Sequence, residues 1–327
     1  MDKIKIGVIG VGHLGKIHLH LLKEAPQFEL TGFFDTDDET CRAIKQEHNI
    51  HCFSGPDELI EANNAIDIVT PTTSHFLYAQ KAVKAGKHIF IEKPVTETPD
   101  QARELKKLVK ENGVKAQVGH VERYNPAMMK AIDYTPNPKF IEGHRLAEFN
   151  PRGAEVSVVM DLMIHDIDLA CNLINAPVQK VSASGVAVVS DTPDISNARI
   201  TFENGAVANL TASRISVKKM RKLRIFQKNA YMSIDLLSRK LDVFFLNEAN
   251  QNSNPSMVID TGNEKGKEIN FDQPTIEENN AIKTELEDFA IAIQNNAPTR
   301  VDMDQAHQSL TVATEIQEQI EEVTTSY

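Results

Sequence analysis

The 327-residue chain is short of the features that mark a secreted, membrane or nucleic-acid-binding protein. Its three cysteines, Cys41, Cys52 and Cys171, are scattered and odd in number. That excludes a disulfide framework and a clustered zinc pattern, and leaves reduced, structural thiols as the simpler reading. No apolar run approaches the length needed to cross a bilayer. The opening MDKIKIGVIG runs into glycines without a small-residue processing site, so no cleavable signal is expected. Basic residues are outnumbered, 35 against 46 acidic ones, for a formal net charge of -11. Such a balance opposes general attraction to nucleic acid or an anionic membrane surface. The expectation is a cytoplasmic protein with neither partner. One basic run, Lys218, Lys219, Arg221, Lys222 and Arg224, reads either as a solvated edge or subunit surface, or as an attractor for a phosphorylated ligand. Internal repeats, heptads and low-complexity segments are also missing.

What remains is an ordinary globular composition, 41% hydrophobic and 25% charged, in a chain long enough for two cored domains. Residues 3–9 read as a short buried strand running into Gly10-Val11-Gly12-His13-Leu14-Gly15, and then into a helix with Ile17, Leu19, Leu21 and Leu22 at apolar positions. In that context the GxGxxG spacing makes a tight turn, lets the backbone approach a pyrophosphate and lets helix pack on strand. The helix start supplies unpaired N–H groups to the phosphates. A second strand from Phe28 to Phe34 ends in Asp35, 20 residues beyond Gly15. A carboxylate there accepts hydrogen bonds from the ribose hydroxyls of NAD and repels the 2′-phosphate of NADP. Its alternative is a turn aspartate in Asp35-Thr36-Asp37-Asp38.

Strands and helices keep alternating: helix at 43–48, strand at 50–53, helix at 56–61, strand at 66–70, helix to Ala85, strand at 88–91, helix at 99–112 and strand at 115–119. This predicts a mostly parallel sheet covered on both faces. Thr70-Pro71-Thr72-Thr73-Ser74-His75 then falls outside the carboxyl end of a strand, where such sheets place ligands. Glu92-Lys93-Pro94 also follows a buried strand, which delivers Lys93 to the functional edge. His120 follows the last strand and is either packed or in contact with a ligand. Pro94 and Pro126 restrict the neighbouring backbone, and either could follow a cis bond.

After residue 120 the alternation stops. A helix at about 126–133, broken by Pro136 and Pro138, precedes a strand at 140–149, an apolar helix at 156–174 and strand-like segments at 181–189, 198–202, 206–213, 222–226, 231–235 and 241–245. Asn204-Gly205 signals a hairpin. Asn247 to Glu268 reads as a surface excursion with at most a brief strand, followed by helices at 276–295 and 303–323. The predicted class is α/β: a Rossmann NAD-binding domain over 1–120, and an α/β domain on a mainly antiparallel open sheet over 121–327, including the closing helices. An open sheet face left uncovered favours a homodimer or homotetramer.

The helix at 156–174 carries Asp161 and His165 four apart, with Asp168 three further on, while Leu162, Met163 and Leu169 face the core. A histidine beside carboxylates is a proton acceptor held in one tautomer, suited to taking a proton from an alcohol as hydride leaves its carbon. The same residues could be a solvated Asp–His pair or metal donors, although HExxH and paired cysteines are missing. Asp166 points away and is the weaker acid. A nicotinamide reaction needs no metal, and Lys93 and His165 could meet across a cleft between domains.

These motifs resemble those of the glucose–fructose oxidoreductase / inositol dehydrogenase / rhizopine catabolism (Gfo/Idh/MocA) family over essentially the whole chain. Gly10 to Gly15 and Asp35 match its cofactor motif, Thr70 to His75 its nicotinamide-side loop, Glu92-Lys93-Pro94 its distinctive tripeptide, and Asp161 to His165 its D-x-x-x-H helix. The resemblance implies NAD as cofactor, bound by Gly10, Gly12, His13, Leu14, Gly15, Asp35, Thr70, Pro71, Thr72, His75, Glu92 and Lys93. It implies Lys93 and His165 as the catalytic pair, assisted by Asp161, with Asp168, His120, Arg123, Tyr124 and Asn125 lining or approaching the substrate. The substrate would be a sugar, nucleotide sugar or cyclitol. Residues 119–127 are similar to the branch holding nucleotide-sugar 3-dehydrogenases that act on UDP-N-acetylglucosamine or its uronic acid. Glu155-Val156-Ser157-Val158-Val159-Met160 departs from the glycine-rich run of many relatives. Competing expectations are a reductase of an unsaturated or imine-type substrate and a non-catalytic dinucleotide-sensing regulator.

Overall fold

The computed structural model describes residues 3–135, 137–150, 156–248, 257–259 and 267–324. The chain divides into two compact units: Met1–Tyr124 with Asn280–Thr311, and Asn125–Asn279 with Val312–Tyr327.

The first unit is built on β1 (Ile4–Ile9), β2 (Phe28–Phe34), β3 (Ala65–Ile68), β4 (His88–Glu92) and β5 (Ala116–Gly119), in the order β2-β1-β3-β4-β5. Every pair is parallel. Between the strands run α1 (His13–Glu24), α2 (Asp38–His48), α3 (Pro56–Ala62), α4 (Thr72–Lys84) and α5 (Pro99–Asn112). The chain leaves β1 to one side for β2 and returns on the other for β3, so the switch point lies at the carboxyl end of β1, beside the glycine loop.

The strand expected at 50–53 is reduced to one parallel bridge, Cys52 to Phe33, outside β2. Counting that bridge restores the order of a dinucleotide-binding sheet, 3-2-1-4-5-6. Helix α2 starts five residues earlier than its apolar pattern suggests, because the Asp37 side chain accepts the N–H groups of Glu39 and Thr40. The peptide bond before Pro94 is cis.

The second unit contains a nine-stranded sheet ordered β13-β14-β12-β11-β10-β6-β9-β8-β7. Its strands are β6 (Phe140–Leu146), β7 (Val178–Val186), β8 (Ile195–Phe202), β9 (Val207–Ser213), β10 (Met220–Gln227), β11 (Ala230–Asp235), β12 (Lys240–Glu248), β13 (Met257–Ile259) and β14 (Lys267–Asp272). All neighbours are antiparallel except β6 and β9. The Asn204-Gly205 turn joins β8 to β9, with Gly205 at φ 78°. Helices α6 (Pro126–Ala131) and α7 (Ile164–Ile174) cover one face. The polar excursion after Asn247 falls largely on 249–256 and 260–266, outside the described residues, as does Glu155 of the Glu155–Met160 departure.

The other face carries a row of aromatic rings, Phe140, Phe226, Tyr231, Phe244 and Phe271, with successive centroids 4.8–5.8 Å apart. Lys218 and Lys219 of the basic run precede β10, and Arg221, Lys222 and Arg224 lie on it, in the middle of the sheet rather than at an edge. Arg224 pairs with Glu142 at 3.1 Å and Lys222 with Asp235 at 3.6 Å.

The closing helices divide differently from the expected 121–327 domain. Helix α8 (Ala281–Gln294) packs Leu286, Phe289 and Ala290 into the core of Leu19, Leu22 and Phe90, and so belongs to the first unit. Helix α9 (Met303–Thr324) contributes its residues up to Thr311 to the first unit and Val312, Ala313, Ile316 and Ile320 to the core of the second. Amphipathic spacing foretells that such faces are buried, but not against which sheet.

Candidate active site

In the first unit the glycine loop is fixed by close approach. A Cβ on Gly15 would lie 2.1 Å from the Gly10 carbonyl oxygen. Gly10 itself has φ +90° and abuts the Thr70 backbone, so neither position accepts a side chain. Gly12 has nothing within 4 Å, leaving open space over the loop. That space continues into a cavity of about 380 Å³ lined by Ile9, Gly10, Gly12, Asp35, Thr70 and Pro71, together with Phe34, Thr36, Val69, Thr73, Ser74 and Tyr78. Asp35 spans its floor: one carboxylate oxygen accepts the Val11 N–H at 2.8 Å and the other accepts the Asp37 N–H at 3.0 Å. Asp35 is therefore both a turn aspartate and a carboxylate at the cavity, which unites the two readings of the sequence. An open glycine backbone beside a carboxylate fits the phosphates and adenosine ribose of a dinucleotide. Tyr78, one helical turn past Ser74, escaped the motif reading because nothing local distinguishes it from a surface tyrosine.

His75 is 1% exposed and turned inward. Its Nδ1 lies 2.9 Å from the Pro94 carbonyl and its Nε2 2.8 Å from the Thr70 carbonyl. It thus ties the loop after β3 to the loop after β4, and holds Lys93, half-buried between Glu92 and Pro94, by its neighbour. Burial moves the His75 imidazole below its ordinary range against the pull of these carbonyls.

His120, 1% exposed, ends β5. The three residues grouped with it in the sequence have structural partners. Arg123 donates to Gln305 at 3.1 Å and the Arg300 carbonyl at 3.3 Å, and Tyr124 donates to Asp288 at 2.7 Å. Arg300 stands over the Tyr124 ring at 5.1 Å. Burial and the acids Glu285 and Asp288 push the phenol far above its usual range. In the second unit, Asn125 caps α6 and donates to the Leu236 carbonyl at 2.9 Å.

The segment carrying Asp161 and His165 is not a regular α-helix from 156. Val159–Met163 forms a π turn, and α7 starts only at Ile164. In a π turn each N–H reaches one residue further back, so four-residue spacing no longer stacks side chains as it does in an α-helix. Such turns recur at functional sites. Asp161 is exposed, His165 half-buried and Asp168 1% exposed. Behind them, Arg145 of β6 grips Asp166 with two bonds, 2.7 and 3.1 Å, both side chains 3% exposed. Asp166 is thus an anchor, as its direction on the helix suggested. Among the described residues, no group of three or more His, Cys, Asp or Glu side chains could hold a metal ion. No described helix is long and apolar enough to cross a membrane.

His18 is a residue the motif reading passed over, a histidine inside the apolar stretch of α1. It is 0% exposed, with Nδ1 2.9 Å from Asp67 and Nε2 3.4 Å from Glu92. Burial alone would lower its pKa, but the two carboxylates outweigh that and raise it from 6.5 to about 10. A folded-state pKa above the unfolded one contributes stability that is complete below the unfolded value and disappears as pH rises through the folded one. The melting temperature is therefore expected to fall as pH climbs through about 10, and a melt series on His18→Gln should show a smaller drop. Equal pH dependence in the two proteins would refute the assignment.

Comparison with known proteins adds independent information. Residues 4–120 match the oxidoreductase family with an NAD-binding Rossmann fold, and residues 132–232 match the GFO/IDH/MocA C-terminal domain. The chain is 35% identical over 304 residues to UDP-N-acetylglucosamine 3-dehydrogenase of Acidithiobacillus ferrooxidans, covering 92% of each chain. A solved structure of that enzyme superposes with a TM-score of 0.88 at 33% identity, over 98% of this chain and 99% of that one. The scyllo-inositol 2-dehydrogenase (NAD(+)) of Bacillus subtilis is 30% identical over 233 residues, 65% of this chain and 68% of its own.

Proposed function

The chain belongs to the GFO/IDH/MocA family of NAD-binding oxidoreductases, and we propose that it oxidises a hydroxyl-bearing carbon of a nucleotide sugar, with UDP-N-acetylglucosamine as the first candidate. The observation that carries this reading is the near full-length likeness to the Acidithiobacillus enzyme. The nicotinamide, when bound, supplies the hydride acceptor. Gly10, Gly12 and Gly15 would take the pyrophosphate on open backbone, with Val11, His13 and Leu14 forming the rest of the loop. Asp35 would take the adenosine ribose, and Thr70 and Pro71 border the cavity, with Thr72 beside them in the chain but not lining it. His75 and Glu92 act from beneath, by fixing the loops that carry Thr70 and Lys93.

Lys93 is assigned to orient the substrate oxygen and His165 to accept the hydroxyl proton. Asp161 assists that histidine, and Asp168 and His120 are assigned to the substrate's surroundings. We read Arg123, Tyr124 and Asn125 as shaping the chain behind His120, since their bonds go to the protein. The aromatic row on the open sheet face supports self-association as a dimer or tetramer through that face.

The test is NADH absorbance during incubation of the protein with NAD and UDP-N-acetylglucosamine, with a 2-oxo acid present in a parallel reaction to reveal recycled cofactor. Turnover supports the reading. Turnover with cyclitols or free sugars alone would move the assignment to another branch of the family.

Asp35→Ser tests the cofactor assignment. A charge-assisted hydrogen bond contributes about 1.5–3 kcal/mol. The variant should therefore bind NAD about 10–100-fold more weakly, while losing less affinity for NADP, whose 2′-phosphate the carboxylate repels. Isothermal titration with both nucleotides decides it, and an unchanged NAD/NADP ratio would place the discrimination elsewhere.

A further inference from the structure

A buried charge array lies under the strand ends of the first unit: Asp67 on β3, His18 on α1 and Glu92 on β4. The helix sets the imidazole across two neighbouring strands, with its edge toward the Phe90 ring at a centroid distance of 5.7 Å. At 0% exposure His18 is closed to any substrate, so it cannot itself exchange a proton with one. Three titratable side chains in a core are seldom more stabilising than well-packed apolar ones of similar volume, so stability alone gives no reason to keep them.

The direction in which the array points supplies a reason. Glu92 Oε1 faces His18, and Glu92 Oε2 accepts the Lys93 N–H at 3.2 Å. Gly119 of β5 leaves room for the same carboxylate, since a Cβ there would stand 2.6 Å from Oε1. His18 Nδ1 is anchored on Asp67, and its Nε2 meets Glu92 as an ionic contact rather than an aligned hydrogen bond. The carboxylate thus faces the His18 imidazole, occupies space that Gly119 leaves open, and is bonded to the backbone of the lysine assigned to orient the substrate oxygen.

We infer that His18 is a positioning residue: buried between Asp67 and Glu92, it holds the Glu92 carboxylate in place, and through Glu92 it fixes the backbone from which Lys93 reaches the substrate. This rests on the proposed role of Lys93. The charged groups that face the imidazole are Asp67 from β3 and Glu92 from β4.

The experiment uses the full chain in four forms: wild type, His18→Gln/Asp67→Asn, Glu92→Gln and the triple combination. The paired substitution leaves the net charge of the core unchanged, where His18→Gln alone would leave two carboxylates without their cation. Side-chain nitrogen NMR reads the His18 protonation state. Reductive carbon-13 methylation reads the environment of Lys93, and NADH formation with UDP-N-acetylglucosamine reads turnover. The expected results are a doubly protonated His18 in mildly alkaline buffer and a shifted Lys93 signal in the paired variant. Its kcat should be lower by on the order of 10–100-fold, with NAD affinity within about threefold of wild type. Glu92→Gln added to the pair should lower kcat no further, the mark of residues acting through one route.

A neutral imidazole, an unmoved Lys93 signal, or losses that add in full would overturn the inference. If wild type turns over no sugar substrate, the functional reading fails, while the two NMR measurements still decide whether His18 controls the surroundings of Lys93.

Discussion

Lys93→Ala and His165→Ala are each expected to lower kcat by about 10²–10⁴-fold, the usual contribution of a positioned proton-transfer or polarising group. NAD affinity should stay within about threefold. The reason is the separation of tasks. The groups fitted to the dinucleotide are backbone N–H groups of the glycine loop and the Asp35 carboxylate, whose bonds to Val11 and Asp37 involve neither residue. Lys93 is held by Glu92 and by the His75–Pro94 contact, so removing its side chain leaves the loop's bonds intact. His165 lies in the first turn of α7 just after a π turn, with its helix anchored through Asp166, so truncation to alanine leaves the anchor in place. Steady-state kinetics with NAD titrations distinguish the outcomes. Parallel losses of NAD affinity and kcat would mean that either residue serves cofactor binding rather than chemistry. Turnover that survives in His165→Ala would favour the reductase reading, whose chemistry does not need this histidine.

Arg145→Ala should be the most destabilising of the single substitutions considered, by about 3–5 kcal/mol, the usual result of leaving a buried charge without its partner. Asp166 would remain in a pocket where both side chains are 3% exposed. At roughly 2–4 °C per kcal/mol for a unit of this size, the melting temperature should drop by about 10 °C. Replacing both partners, as in Arg145→Met/Asp166→Leu, should recover most of that loss, because two apolar groups of similar volume leave no stranded charge. A thermal melt of Arg145→Ala within a degree or so of wild type would show that the pair does not anchor α7. Loosening the anchor should also lower kcat, because His165 precedes Asp166 in the chain.

Much of the candidate site is legible in the amino-acid sequence. The glycine spacing, Asp35 and the lysine after the fourth strand are local patterns whose physical demands, a tight turn, close backbone approach and a strand-end position, are written in neighbouring residues. Local chemistry also misleads. Four-residue spacing puts Asp161 and His165 on one α-helical stripe, whereas the π turn at Val159–Met163 changes the stacking. The run at 50–53 has strand composition, yet pairs only at Cys52. The basic run reads as a solvated edge or subunit surface; its residues on β10 are surface side chains of a central strand, where acids on β6 and β11 face them. Arg123 and Tyr124 sit close to His120 in sequence, but their bonds go to residues more than 160 positions away.

Local residue order dictates the alternation that builds a parallel sheet, the glycine loop at its switch point and the types of residue delivered to the strand ends. Each of these depends on backbone geometry and periodicity within a few residues. It took long-range packing to settle that α8 completes the first core rather than the second, that Asp166 is spent on Arg145, and that His18 lies between Asp67 and Glu92. Those outcomes depend on which distant surfaces bury one another, and a buried charge acquires its meaning from partners that no local window contains.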